Sequence, residues 1–248
     1  MIAEVVAVVA NAMPKVIKRG FVPTDTRQFD KKSLQILQQA GEEIYFLLNR
    51  GYSVKTATTF VGNHYLLSER QRLALARMIS PEENIYIRKK KELSAKNLAG
   101  EILYIDGFNI IITLEIAFSG SLLLDCMDGT IRDLAGLRGT YCLIDKTDLA
   151  ILAMREFFQE SNIKKAVFYL DKPISNSGRL KQRILELMAE SEFEIAVEIE
   201  NPVDLILKQK HHVVTADAII LDACESWYNL TRAVIAKKIG NYNYIKIF

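Results

Sequence analysis

At 248 residues, half of them hydrophobic and a quarter charged, the chain has the makeup of a soluble globular protein with one large domain or two small ones. Its three cysteines, Cys126, Cys142 and Cys224, show no zinc-ligand spacing, which argues against a disulfide framework or a structural zinc and fits a reducing cytoplasm. The net charge of +2 hides a partition: residues 1–97 carry 16 Lys/Arg against 9 Asp/Glu, and residues 98–248 carry 16 against 21, so a basic part precedes an acidic one.

The opening stretch MIAEVVAVVANAMPKVIKRG lacks a positive n-region, is interrupted by Glu4, and is too short in its apolar run to span a bilayer. It is expected to be a short core-packing element, and no membrane association is expected. Residues 30–79 predict helices. Leu34, Leu37, Ile44 and Leu48 fall on one stripe, and Gly51 signals the C-terminal end. A second helix starts at Ser53 and stops near Gly62. Ser68 caps a third, ended by Pro81. Three short helices of this kind suit a helix-turn-helix-like module or a plain bundle. The polar, basic run IRKKKELSAKNLAG, residues 87–100, predicts a linker. It separates a helical domain at 1–95 from a second domain at 98–248.

From there strands alternate with helices. EILYID, KAVFYLD, FEIAVEIE and HHVVTAD predict four strands, and LLLDCMDGTIRDLAG predicts two short ones around a Met-Asp-Gly turn. KTDLAILAMREFFQES predicts a helix with an apolar face through Leu149, Leu152 and Phe157. NPVDLILKQK predicts one capped by Asn201 with Pro202 at its first position. TRAVIAKKIG and YNYIKIF are expected to close the sheet. The pattern gives an α/β fold: a mainly parallel sheet flanked by helices, Rossmann-like, with a small all-α N-terminal domain.

Three predicted strands end on a carboxylate: Asp106, Asp171 and Asp217. Asp204 lies in the first turn of the helix before the last of them, and Asp222 follows Asp217 by about one helical turn. A parallel sheet binds ligands beyond the carboxyl ends of its strands, so several of these groups are expected on one rim. Gathered carboxylates repel one another unless a cation neutralises them, and an oxygen-only donor set suits Mg²⁺ or Mn²⁺.

YIDGFNIII resembles the first motif of the PIN-like nucleases, especially the NYN branch, in which a buried strand ends in Asp-Gly-X-Asn. PVDLILKQKHHVVTAD resembles that branch's later block, an Asp-bearing helix leading into a strand that ends in a small residue plus Asp. The likeness spans residues 101–225. The chain as a whole also resembles an uncharacterised archaeal-type family with a small helical domain ahead of this module. The PIN-like resemblance implies that Asp106, Asp204 and Asp217 are metal-site carboxylates, with Asn109 orienting the first and Asp171 and Asp222 as further candidates. It implies metal-dependent hydrolysis of RNA, and a homodimer. Where the branch often carries a second acid after the last Asp, this chain has Ile219.

The loop DKPISNSGRL offers Ser175, Asn176, Ser177, Gly178 and Arg179 at a helix N-terminus, a candidate phosphate cradle, although the Walker pattern is absent. Among the remaining acids, Asp125 ends an apolar run and is expected to face the site, while Asp128 is expected in a hairpin turn. Glu115 is a weaker candidate for the site side. His64, with Arg70 and Arg72 nearby, is expected on a helix-turn surface. Two other functions stay open on these residues. One is a non-catalytic RNA-binding protein with a degenerate PIN-like site. The other is a Rossmann-like phosphatase or phosphotransferase acting on a small phosphate ester through Asp106.

Overall fold

The computed structural model describes residues 17–136 and 139–248. The expected core-packing role of the first residues therefore lies largely outside the described chain. A single turn, α1 (Asp25–Gln28), leads into α2 (Lys31–Leu48), α3 (Val54–His64), α4 (Glu69–Met78) and α5 (Glu82–Lys91). Each of α2, α3 and α4 starts where a short polar side chain accepts an otherwise unpaired backbone N–H: Asp30 from Ser33 at 2.7 Å, Ser53 from Thr56 at 3.1 Å, and Ser68 in a reciprocal box with Gln71. Helix α3 ends two residues past Gly62, close to the expected stop. The helix runs on to His64, and Arg72 packs over Gly62 so closely that a Cβ there would lie 2.8 Å from its Nε.

The second half builds β1 (Ile102–Asp106), α6 (Gly107–Phe118), β2 (Leu123–Asp125), β3 (Ile131–Asp133), α7 (Asp145–Glu160) and β4 (Lys165–Asp171). It continues through α8 (Ser177–Leu187), β5 (Glu194–Glu200), α9 (Val203–Leu207), β6 (Val213–Val214), α10 (Ala218–Ala223), α11 (Leu230–Lys238) and β7 (Tyr244–Ile245). The main sheet has the order β5-β4-β1-β6, with every pair parallel. Along β1, Leu103 and Ile105 point into the main core with α6, α7, α8 and α11, whereas Tyr104 faces the smaller cluster under α9 and α10. The fold is thus α/β with a four-stranded parallel sheet flanked by helices and an all-helical N-terminal region. Among the described residues no helix is long and apolar enough to cross a membrane.

Several sequence expectations are corrected. The basic run is not an open linker: α5 extends through Lys91, and Arg88 is buried because Asp128 and Asp222 neutralise its guanidinium. The predicted C-terminal strand TRAVIAKKIG is the helix α11, and β7 joins β2 in a second sheet of order β3-β2-β7 instead of closing the first. Helix α7 buries Ala150, Ile151, Met154 and Phe158, one step round from the expected face, and leaves Leu149 exposed. Strand β6 is only two residues long, so Asp217 stands three residues beyond it.

The small sheet couples the two regions. Leu122, Leu124, Cys126, Leu134, Ile245 and Ile247 share one hydrophobic cluster with the buried faces of α2, α3 and α4. The helices therefore have no closed core of their own; they complete theirs on β2 and β7.

Candidate functional site

Chain order sets the position of the site. From β1 the chain passes to β4 and β5 on one side, then returns to β6 on the other. Strand order reverses between β1 and β6, and such a reversal opens a crevice at the carboxyl edge of a parallel sheet. A cleft of about 450 Å³ lies there. It is lined by Asp106, Asn109, Asp171, Asp204 and Asp217, together with Arg77, Thr113, Arg132, Asp133 and several apolar groups.

Asp106 forms its floor and is only 7% exposed. Gly107 has to follow it: a Cβ at that position would lie 2.5 Å from the Leu170 side chain and 3.0 Å from the Tyr169 carbonyl oxygen. Without a side chain, α6 starts hard against β4 and keeps Asp106 at the strand end. Gly107→Ala is expected to cost about 2 kcal/mol, the scale of overpacking a core, and to weaken cation binding at Asp106; chemical denaturation and Mn²⁺ calorimetry check both.

The turn after β6 is fixed from several sides. The Thr215 hydroxyl donates to Asp106 Oδ2 at 2.7 Å and accepts from the Asp217 N–H at 3.0 Å. Asn109 Oδ1 accepts from the Ala216 N–H at 2.9 Å, while Arg132 Nε donates to the Ala216 carbonyl at 2.7 Å. Asp217 caps α10 with Oδ1, taking the N–H of Ile219 at 2.7 Å. Asn109 therefore acts as a strap between α6 and this turn.

Burial first, and then the charges of Asp217, Asp171 and Asp204, push the Asp106 carboxyl up to about 7, against the opposing Thr215 hydrogen bond. Asp171 is raised by burial and by Asp204, and Asp204 by burial and by Asp217. None of the four carboxylates has a salt-bridge partner among the described residues. Their oxygen-only chemistry fits a hard divalent cation. Among the described residues, however, no three acidic, His or Cys side chains converge as a ready-made metal cage. One or two carboxylates, completed by water and substrate oxygens, is the way Mg²⁺ is commonly held.

The other sequence candidates lie elsewhere. Asp222 sits at the far end of α10, paired with Arg88 at 2.7 Å. Ser175 accepts from the Tyr141 N–H at 3.0 Å and Asn176 donates to the Tyr141 carbonyl at 2.6 Å, so their side chains hold the segment near Tyr141. Ser177 is buried and Arg179 exposed; none of the five loop residues from Ser175 to Arg179 lines the cleft, which Asp171 and Ile174 before them do reach. Asp125 does not face the cleft but pairs with Arg232, and Asp128 lies in the hairpin turn between β2 and β3 as expected, where it is a buried partner of Arg88 and Arg132. Glu115 is buried away from the cleft against Arg19, Tyr141 and Thr147. His64 is exposed, while Arg70 pairs with Asp25 and Arg72 caps carbonyls of α3. Asp133, Arg77 and Arg132 reach the cleft without having been anticipated. No local motif marks them, because they arrive from β3 and α4, whose approach to β1 is a tertiary event.

Residues 36–91 match the model of a protein family of unknown function, DUF434, and residues 95–233 match that of a domain of unknown function, DUF5616. The two matches meet where α5 ends. No solved structure matches. The uncharacterized protein MJ0935 of Methanocaldococcus jannaschii is 37% identical over 185 residues, covering 75% of this chain and 88% of that relative. With more than half of its length matched, the chain belongs to the DUF5616 family, with a DUF434 region preceding that domain.

Proposed function

We infer that the chain is a PIN-like, Mg²⁺- or Mn²⁺-dependent ribonuclease of the cytoplasm. One observation carries this: four aspartates from separate elements of a parallel α/β unit line one cleft at the strand-order reversal with no cationic partner among the described residues. Asp106 Oδ1 and Asp217 Oδ2 receive no hydrogen bond from the described residues, which leaves one oxygen of each for a cation. Asp204 and Asp171 would complete the acidic rim. A divalent ion held there supplies neutralising charge and makes a bound water acidic enough to attack a phosphodiester. Thr215 keeps Asp106 in one rotamer by donating to Oδ2, and Asn109 and Arg132 hold the Ala216 peptide so that Asp217 keeps its place.

The experiment is Mn²⁺ calorimetry and cleavage of a labelled RNA by wild type and by Asp106→Asn/Asp204→Asn/Asp217→Asn. Cation binding and cleavage by wild type, both lost in the triple variant, are expected. Cleavage that survives in the triple variant overturns the proposal. A second reading, RNA binding without turnover, draws on Ile219, which is exposed at the lip of the cleft where the resembled branch carries an acid. RNA binding with no metal-dependent cleavage would favour it.

A further inference from the structure

The lining of the cleft carries both signs of charge. Besides the four aspartates, Ala76 and Arg77, at the end of α4, line it together with Arg132 and Asp133 of β3. The two arginines are not equivalent. Arg132 is fully committed, with Nε on the Ala216 carbonyl, Nη1 on the Arg77 carbonyl and Nη2 on Asp128. Arg77 donates only through Nη1, to the Asp133 carbonyl at 2.5 Å and to the Asp133 carboxylate at 3.4 Å. Its Nε and Nη2 have no partner among the described residues, and its side chain is 34% accessible. Arg77 thus presents a partly sheltered guanidinium edge to a cleft that four aspartates, unpaired among the described residues, also line.

We propose that Arg77 is the phosphate-recognising residue of this cleft, and that the strand it engages is single-stranded RNA. The proposal rests on the ribonuclease reading above. A guanidinium offers two N–H groups in the fork that fits phosphate oxygens, and one such fork remains here. The carboxylate rim alone would repel a polyanion, so a phosphate needs a cation on the side away from the bound metal. Arg77 is anchored there by Asp133, which in turn is held by the Thr113 hydroxyl at 2.8 Å and the Ala135 N–H at 2.8 Å. A cleft of about 450 Å³ with Asp106 at its floor is the size of a site for a small molecule or one splayed nucleotide. The rigid, paired backbone of a duplex does not enter such a space, whereas an unpaired nucleotide does. The helical region is then part of the substrate site.

The test is fluorescence anisotropy with a fluorescein-labelled single-stranded RNA, the matching blunt duplex, and inorganic phosphate as competitor. It is run in Ca²⁺ over a range of salt on full-length wild type, Arg77→Ala, Arg77→Lys and Asp106→Asn. Arg77→Ala is expected to weaken single-strand binding on the order of tenfold and to flatten the log K against log salt slope by about 0.7. Arg77→Lys should keep the slope, because it keeps the charge. A purely structural role for the Arg77–Asp133 pair would lower the melting temperature and leave the slope unchanged, which overturns the proposal. Tighter binding of the duplex than of the single strand overturns its single-strand part. Failure of wild type to bind either RNA overturns both this inference and the ribonuclease reading. RNA binding that is unaffected at Arg77 but followed by Asp106-dependent cleavage overturns only this one.

Discussion

Asp106→Asn is expected to abolish metal-dependent cleavage while raising the melting temperature of the ion-free protein. The carboxyl is pushed up to about 7, from an ordinary value of 3.8, by burial and by three neighbouring carboxylates. A raised carboxyl binds its proton more tightly in the folded chain than in the unfolded one. Folding is therefore favoured below the unfolded value, and that advantage is lost as pH rises from about 4 through 7. The full difference corresponds to about 4 kcal/mol of destabilisation at alkaline pH. Asparagine keeps the shape and removes the charge, so thermal melts of the ion-free proteins should diverge between pH 5 and pH 8, with the variant more stable at the higher value. Mn²⁺ should stabilise the wild type and leave the variant nearly unchanged. A wild type whose stability is flat over this interval would contradict the burial of an ionisable group on the cleft floor.

Asp128→Asn carries the second large effect. Asp128 is fully buried as a side chain, with Oδ2 taking Arg88 Nη1 at 2.6 Å and Arg132 Nη2, and with Oδ1 taking the Thr130 hydroxyl at 2.6 Å. Burial works to raise its pKa, but Arg132, Thr130 and Arg88 outweigh it and hold the carboxyl below the usual range. Removing this charge leaves two guanidiniums buried with too little to neutralise them, at a cost of about 3–5 kcal/mol. Arg88 belongs to α5 and Arg132 grips the Ala216 carbonyl, so the loss travels in two directions. The helical region loosens from β3, and the turn carrying Asp217 loses one of its holds, the Arg132 bond to the Ala216 carbonyl. Urea denaturation should show the drop in stability. Mn²⁺ affinity in the fraction that remains folded should fall as well, although Asp128 does not line the cleft. An Asp128→Asn protein as stable as wild type would show that the network is solvated.

Much of this site is legible as sequence. Asp106, Asp171 and Asp217 are legible as the carboxylates on which apolar runs stop, and parallel strands put such ends on one edge. Gly107 and Asn109 carry the same information in smaller print: one permits a close helix start, the other straps the opposite turn. Asp222 and the Ser175–Arg179 loop mislead, since a carboxylate one turn down a helix and a polar helix start look the same whether they meet a ligand or a neighbouring segment. Asp222 meets Arg88, and Ser175 and Asn176 meet the backbone of Tyr141.

The alternation of strands and helices, the capped helices near the N-terminus and the strand-end aspartates follow from local rules of periodicity, capping and charge, and the sequence alone determined them. Only the tertiary structure decided that the basic stretch after Pro81 is a docked helix, that Arg88 is buried in an ion network, and that Arg77 and Asp133 face the aspartates. Periodicity and capping act over one or two turns of chain. Ion pairs such as Arg88–Asp128 and Arg88–Asp222 join residues 40 and 134 positions apart, and nothing local records which of several charges will find such a partner.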